Sequence, residues 1–324
     1  MRRHRVAVLS VATLACFASN SLLARAALRE GLADPATFSA VRLASGAGLL
    51  ALVAFGARRG SGRAGSWGSA FALFAYAGAF SLSYVRIGAA TGALLLFPAV
   101  QATMIAWSVA HGAAPTRRQW GGIALALGGL AVLTLPGAQA PDLVGALFMV
   151  GAGVAWGVYS IRGRVASDPV ATTAGNFLRT VPMALALVIA YAAAAPLRAT
   201  LPGVGLAVLS GAIASAGGYI AWYAILPALG QTRAATLQIA VPVVAAAGAV
   251  VLLGEPVSAR LVASGVAIVA GIAAVVSGSR PPSSGAARGQ RSARSAAPAA
   301  SAASASPSTR HVSHSRSTLA PSDS

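Results

Sequence analysis

Two arginines, Arg42 and Arg179, lie inside long apolar stretches of the sequence, where a charged side chain is costly and usually has a function. Arg42 follows Asp34, and at 1.5 Å of helix rise per residue it lies about 10 Å beyond the start of its stretch. Arg179 follows Asp168 and lies about 16 Å deep. A guanidinium at such a depth can bind a carboxylate through two parallel hydrogen bonds, which predicts an anionic or zwitterionic ligand. The alternatives are that either arginine reaches back to the lipid headgroups, for which Arg179 has further to extend, or that it only holds helices together.

Polar and aromatic side chains in other apolar stretches predict the rest of a binding site. Two glutamines share a helix face with a proline, and they can instead satisfy the backbone carbonyl that the proline frees. The aromatic residues can instead lie in the interfacial belt of a membrane protein. The candidate substrate-binding residues are Asn20, Arg42, Gln101, Trp156, Tyr159, Ser160, Asn176, Arg179 and Gln238.

Acidic side chains are few, and all six lie in predicted loops, at helix ends or near the C-terminus. Asp34 and Glu255 are the candidates for coupling to a proton, provided that one of them faces a water-filled cavity. Otherwise the chain works by facilitated or exchange-type transport, which we favour. Glu255 and His111 can alternatively be capping or loop residues.

The composition is that of a membrane protein. Of the 324 residues 56% are hydrophobic and 9% are charged, with a mean hydropathy of +0.73, whereas soluble proteins carry about 25% charged residues. The net charge of +18 comes from 24 basic residues, all of them arginine. These arginines lie mostly between apolar runs, so we expect a lipid bilayer and no nucleic acid as the partner.

Several chemistries are excluded or not expected. The single cysteine, Cys16, rules out a disulfide framework, and four scattered histidines make a metal site unexpected. A P-loop needs a lysine, and the chain has none, so ATP-driven transport by this chain alone is excluded. The apolar runs lack a catalytic constellation. We therefore expect no cofactor and no enzymatic activity.

Ten apolar runs are long enough to be membrane-spanning helices, which need about 20 residues each. The alternating pattern of an outer-membrane barrel is absent. The first run resembles a signal peptide, but its counterpart later in the chain cannot be one, so we retain it as a span. The predicted spans are Val6–Leu23, Ala36–Phe55, Trp67–Tyr84, Ala89–Ala110, Gly121–Leu135, Leu143–Ser160, Ala171–Ala195, Val204–Ile225, Ala234–Leu253 and Leu261–Ser277.

The distribution of arginine predicts the orientation. With the N-terminus inside, the inner segments carry 11 arginines and the outer loops carry 5, as the enrichment of basic residues in cytoplasmic loops requires. Both termini are then cytoplasmic. Residues 280–324 are rich in Ser, Ala and Pro and carry six arginines, which predicts a disordered basic cytoplasmic tail.

The two halves of the chain resemble each other. Asp34-Pro35 is matched by Asp168-Pro169, Arg42 by Arg179, and Pro98 by Pro242. The predicted domains are a first five-helix repeat over 1–137, a second over 138–279 and the tail over 280–324. Because each repeat has an odd number of spans, the second enters the membrane from the opposite side, a signature of transporters with a midplane substrate site.

The sequence resembles the EamA-type carriers of the drug/metabolite transporter superfamily over residues 1–279. The resemblance lies in the segments 20–25, 34–42 and 84–98, and in Leu253-Gly254-Glu255-Pro256. The family often has Gly-Glu after both its fourth and ninth helices, whereas this chain has His111 at the first of these positions. The resemblance implies an all-α bundle of ten transmembrane helices in the bacterial inner membrane.

The predicted function is secondary transport, and more specifically export, of a small metabolite such as an amino acid or a related organic anion, by alternating access. The partners are then a small-molecule substrate, the lipid bilayer and a coupling proton or counter-substrate. The alternative is a membrane interaction or regulatory protein that acts through its basic tail.

Overall fold

The structure, a computed structural model, describes residues 3–57, 64–112, 114–137, 140–164 and 166–277, without the side chains of residues 3 and 230–236. The chain divides into two units, Met1–Ser279 and Arg280–Ser324. Every described residue belongs to the first unit. The predicted tail over 280–324 lies outside the described residues.

The described part of the chain is helical, and the β-pairing seen there is one isolated bridge between Ala33 and Ala199. A π-helical segment, Leu209–Gly217, connects α8 to α9. The α-helices are α1 (Arg3–Arg29), α2 (Pro35–Gly56), α3 (Trp67–Tyr84), α4 (Ala89–Ala110), α5 (Arg117–Thr134), α6 (Leu143–Gly163), α7 (Pro169–Ala192), α8 (Leu201–Val208), α9 (Gly218–Leu253) and α10 (Ala259–Ser277).

Within these described ranges, seven helices are long and apolar enough to cross a membrane, and Leu237–Leu253 is a shorter apolar helix. The helices α3 and α5 have 18 residues each, or about 27 Å, close to the ~30 Å of a hydrocarbon core. Large apolar side chains such as Phe55 and Leu201 are 84% and 86% exposed, which suits a lipid-facing surface. The chain is an all-α, multi-pass membrane protein, and the predicted number of ten helices roughly fits.

The helical run from α8 to α9 differs from the prediction. Two separate helices were expected over Val204–Ile225 and Ala234–Leu253, but α8, the π-helical segment and α9 follow one another to Leu253. The residues between the two expected helices include Pro227 and Gly230, and both lie inside α9. A proline is tolerated within a membrane helix where neighbouring groups satisfy the freed backbone, and one glycine costs a helix only about 1 kcal/mol. The apolar stretches within this run, Leu201–Leu229 and Leu237–Leu253, correspond to the two predicted spans.

Both Asp-Pro pairs of the sequence begin a helix. The Asp34 carboxylate accepts the backbone N–H of Thr37 at 2.8 Å, and the Asp168 carboxylate accepts the N–H of Ala171 at 3.1 Å. An aspartate at the N-cap followed by a proline is a favourable helix start, because the proline has no N–H to satisfy. These caps fix where α2 and α7 begin.

The helices pack in matched pairs. The helix α4 packs on α6 and α1 on α9, while α2 packs on α7 and α5 on α10. If each of α1–α5 is exchanged with the helix five places later, the pair α4–α6 becomes the pair α9–α1. The same exchange leaves the pairs α2–α7 and α5–α10 unchanged. This is the pattern expected of two five-helix repeats, whose boundaries at 137 and 279 remain a prediction.

Candidate functional site

Arg42 is buried among α2, α3 and the π-helical segment, with 3% of its surface exposed. Its Nη2 donates to the Tyr76 hydroxyl at 3.0 Å and lies 3.5 Å from Ser215 Oγ. Its Cζ lies 4.8 Å from the ring centroid of Phe80 and 5.2 Å from that of Tyr76, which is cation–π geometry. These contacts hold the guanidinium inside the bundle.

The charge of Arg42 is not balanced within the described residues. Its Nη1 is buried and has no hydrogen-bond partner there. The carboxylates of Asp142 and Glu255 pair with Arg86 and Arg25 at the ends of helices. A buried charge without a counter-ion is costly, and a cation of this kind within a membrane protein indicates a functional site.

A small cavity of about 30 Å³, the upper cavity, lies against Arg42. This volume holds one or two water molecules or a group of similar size. The polar and tyrosine residues of its lining are Asn20, Ser21, Arg42, Tyr76, Ser215 and Tyr219. The lining therefore offers guanidinium, amide and hydroxyl groups, and it contains no carboxylate.

A larger cavity of about 210 Å³, the lower cavity, adjoins the upper one. Gly163 and Arg164, both exposed, line it where α6 ends, so this end of the cavity reaches the protein surface. Its wall contains many groups that can form hydrogen bonds and again no carboxylate. The polar and tyrosine residues of this wall are Gln101, Tyr159, Ser160, Arg164, Thr172, Thr173, Asn176, Tyr219, Tyr223 and Gln238.

Four aromatic residues line both cavities and form what we call the aromatic collar: Phe17, Phe97, Trp156 and Tyr219. Within it, Phe97 lies edge-on to Trp156 with ring centroids 5.6 Å apart, and Phe17 lies edge-on to Tyr219 at 5.9 Å. Trp156 also stacks on Tyr76, the residue that holds Arg42. A ligand that moves from the lower cavity to Arg42 therefore passes aromatic faces.

The end of the bundle away from the mouth of the lower cavity is tied together; we call it the closed face. It contains the connections that precede α2, α4, α6, α8 and α10. Asp34 is 5% exposed, and its carboxylate accepts the backbone N–H of Arg198 at 2.9 Å. The backbone and side chain of Thr200 both donate to the Leu32 carbonyl. These bonds join the α1–α2 connection to the α7–α8 connection.

Glu255 makes a second tie across the closed face. Its carboxylate accepts the backbone N–H groups of Ala89 and Ala90 at 2.7 and 3.2 Å, which caps the N-terminus of α4. Arg25 lies 3.5 Å from the same carboxylate and donates to the Tyr84 carbonyl at 2.8 Å. The glutamate thus joins the end of α9 to α4 and α1. An anion at a helix N-terminus is electrostatically favourable.

The structure places Arg179 away from both cavities. Its Nη1 donates to the carbonyl oxygens of Ala64 and Gly175 at 2.7 and 2.8 Å. The chain just before α3 lies against α7 at this point, where the Ser66 N–H donates to the Asn176 side chain at 2.9 Å. These contacts favour a role for Arg179 in holding this connection.

The two cavities bring together eight of the nine predicted substrate-binding residues. Asn20 and Arg42 line the upper cavity, and Trp156 lines both. The predicted coupling residues Asp34 and Glu255 line neither cavity and lie on the closed face. The remaining five line the lower cavity: Gln101, Tyr159, Ser160, Asn176 and Gln238.

Sequence reasoning missed the residues that hold Arg42 in place. Tyr76 and Phe80 lie four residues apart on α3, a spacing that puts both rings on one helix face. This signal was available, but the same spacing is typical of an ordinary apolar helix face. Ser215 gave no signal in a Gly- and Ala-rich run.

Comparison with known proteins agrees with this architecture. The chain matches the EamA-like transporter family over residues 143–277. An uncharacterized protein of Pseudomonas aeruginosa is 46% identical over 277 residues, which cover 85% of this chain and 96% of that protein. A crystal structure of another protein superposes with a TM-score of 0.57 at 19% identity, over 83% of this chain and 96% of that one. At this identity the likeness shows the fold alone. The chain belongs to the EamA-like transporter family, and it is a membrane transporter of the drug/metabolite transporter superfamily.

Proposed function

We propose that this transporter is a secondary carrier that exports a small organic anion or zwitterionic amino acid. Arg42 carries the proposal, because its buried Nη1 has no partner among the described residues and its side chain lines a carboxylate-free cavity. A substrate carboxylate would supply the missing counter-ion and accept two hydrogen bonds. The residues of the lower cavity then contact the rest of the substrate.

Alternating access is supported by the difference between the two ends of the bundle. On the closed face Asp34 joins two connections and Glu255 joins three helices, whereas the lower cavity reaches the surface at Arg164. In an alternating-access carrier one gate is closed while the other is open, around a site near the midplane. The outward-open state would require the ties of the closed face to break.

The orientation follows from the arginine count. The open end lies on the side of the segments that carry 11 arginines, against 5 in the loops of the closed face. The positive-inside rule assigns the arginine-rich side to the cytoplasm. We therefore place the chain in the bacterial inner membrane with both termini cytoplasmic, in an inward-open state.

Exchange or facilitated transport fits the cavities better than proton coupling. Neither Asp34 nor Glu255 lines a cavity, and both form hydrogen bonds to backbone N–H groups. A counter-substrate of the same chemical class would use the same Arg42 site. This removes the need for a titrating carboxylate in the pathway.

Counterflow in proteoliposomes tests the proposal. Purified protein is reconstituted in vesicles loaded in turn with pools of amino acids, organic acids, nucleosides and organic cations, and uptake of the labelled pool is followed. We expect saturable exchange of an anionic or zwitterionic pool. Exchange confined to organic cations or nucleosides, or no exchange by folded protein, would contradict the proposal.

A further inference from the structure

The upper cavity contains a second donor besides Arg42. Asn20 is 5% exposed and lines this cavity. Its Oδ1 lies 2.8 Å from Ser210 Oγ and 3.2 Å from Ser215 Oγ. Within the described ranges the Asn20 NH2 group has no hydrogen-bond acceptor.

The serine network fixes which way the Asn20 amide faces. Ser215 Oγ lies between the two groups, 3.5 Å from Arg42 Nη2 and 3.2 Å from Asn20 Oδ1. A guanidinium has only donors, so the hydroxyl accepts from Arg42 and gives its single proton to Asn20. Ser210 donates to the same oxygen. The NH2 group is therefore on the opposite side of the amide from the serines.

Both serines lie on the π-helical segment, which packs closely against α2. A side chain at Gly211 would overlap the Arg42 carbonyl and Ser45 Oγ, so only glycine allows this approach. The segment thereby holds Arg42 and Asn20 at one end of the same small cavity. π-Helical insertions are rare, and many of them lie at functional sites.

On the basis of the proposed function, we propose that Asn20 is the second donor for the substrate carboxylate and that Ser210 and Ser215 are its positioning residues. A carboxylate in the upper cavity would accept from Arg42 Nη1 and from Asn20 Nδ2. A carboxamide of the same shape would turn its own donors toward one of these groups. One buried donor of the site would then have no acceptor. The site would therefore bind an acid more tightly than the corresponding amide.

The upper cavity, at about 30 Å³, admits the carboxylate and little else. The body of the substrate would then lie at the aromatic collar, where Trp156 stacks on Tyr76. This favours acids whose carboxylate is carried on a flat or apolar group. Aromatic faces pack well against such groups.

Matched acid and amide probes test this inference. Benzoate, benzamide, phenylacetate and phenylacetamide are titrated into purified protein, and binding is followed by tryptophan fluorescence, to which Trp156 contributes. We expect at least one acid to bind about tenfold or more tightly than its amide. Wild-type protein that binds none of the four, or binds amides as tightly as acids, would contradict the carboxylate site itself.

The variant Asn20→Asp removes the second donor and leaves the other residues of the site unchanged. Its carboxylate keeps an oxygen for Ser210 and Ser215 and places a second, negatively charged oxygen where the NH2 group was, in the cavity that Arg42 also lines. We expect acid binding to weaken about tenfold or more with no loss of thermal stability. The control Gln119→Glu makes the same chemical change at the N-terminus of α5, outside both cavities, and is expected to bind within about twofold of wild type.

The variant Arg42→Gln distinguishes a failure of the Asn20 inference from a failure of the proposed function. If Asn20→Asp binds the acids normally and Arg42→Gln does not, Asn20 is not a ligand and the proposed function stands. If both variants bind normally, the proposed function is contradicted as well. A merely structural Asn20 would lower the melting temperature of Asn20→Asp without changing the acid-to-amide ratio.

The double variant Ser210→Ala/Ser215→Ala tests whether the serines position Asn20. It retains Arg42 and Asn20 but removes the hydrogen bonds that hold the Asn20 amide in one orientation. In counterflow of the preferred acid we expect a higher half-saturation concentration at an unchanged maximal rate, together with a smaller preference for acid over amide. An unchanged half-saturation concentration and preference would contradict the positioning role.

Discussion

Glu255 accepts the backbone N–H of Ala89 at 2.7 Å, so the residue that follows Gly254 at the end of α9 caps the start of α4. The carboxylate is 9% exposed and also pairs with Arg25. One side chain thus joins three helices at the face opposite the cavity mouth. In the proposed cycle this contact forms when that face closes and breaks when it opens.

Glu255→Gln is expected to loosen the closed face. The amide keeps an acceptor oxygen but loses the charge that favours the helix N-terminus and Arg25, at a cost of about 1–3 kcal/mol. A cysteine placed at Ala33, in a Cys16→Ala background, should react faster with a membrane-impermeant maleimide when Gln replaces Glu255. Equal labelling rates with either residue at 255 would contradict a role for this contact in closure.

Gly88→Ala should disturb the same contact from the other side. A Cβ at Gly88 would lie 2.7 Å from Glu255 Oε2, closer than the two atoms can approach, so the carboxylate must move from the α4 N-terminus. We expect a lower melting temperature and faster labelling at position 33. Gly48→Ala is the matched control, because a Cβ there meets nothing within 4 Å. Similar behaviour of the two variants would contradict the prediction.

Gly211→Ala tests the packing that supports the binding site. The new methyl group would overlap the Arg42 carbonyl and separate α2 from the π-helical segment. Overpacking of this kind costs about 1–3 kcal/mol, and we expect both a lower melting temperature and weaker substrate binding. Gly205→Ala on α8 adds a methyl group in open space and should leave both measurements close to wild type.

How far the sequence predicts the site depends on whether the signal is local. An Arg or Asn inside an apolar run is visible without a structure, and Arg42 and Asn20 were identified in this way. Each arginine follows an Asp-Pro pair, and the sequence favoured Arg179 as the substrate-binding residue because it lies deeper in its apolar stretch. Their surroundings differ, because the chain before α3 lies against α7 and offers the Ala64 carbonyl to Arg179.

The contacts that were not predicted join residues far apart in the chain. Glu255 was recognised as a helix-end residue, but no local pattern indicates that it caps α4. Gly65, with φ of +83°, allows the turn that lies next to Asn176. The spacing of residues in the sequence does not predict that this turn contacts Asn176. The helix starts at Asp34 and Asp168 depend on neighbouring residues alone, which is why the sequence located α2 and α7 closely.

Truncation after Ser279 separates transport from any role of residues 280–324. The cavities and the closed face lie entirely within the first unit. We expect the truncated protein to retain counterflow with a similar half-saturation concentration. Loss of counterflow by correctly folded truncated protein would support the alternative in which the basic tail is the active part.

The central claim is that Arg42 binds the carboxylate of the substrate, and counterflow with two arginine variants tests it most directly. Arg42→Gln removes the unpaired buried donor, whereas Arg179→Gln removes a guanidinium that binds the Ala64 and Gly175 carbonyls. We expect Arg42→Gln to raise the half-saturation concentration for the anionic pool at least about tenfold. Folded Arg179→Gln should keep the wild-type value. Normal counterflow by Arg42→Gln, or a selective loss of affinity in Arg179→Gln, would contradict the account.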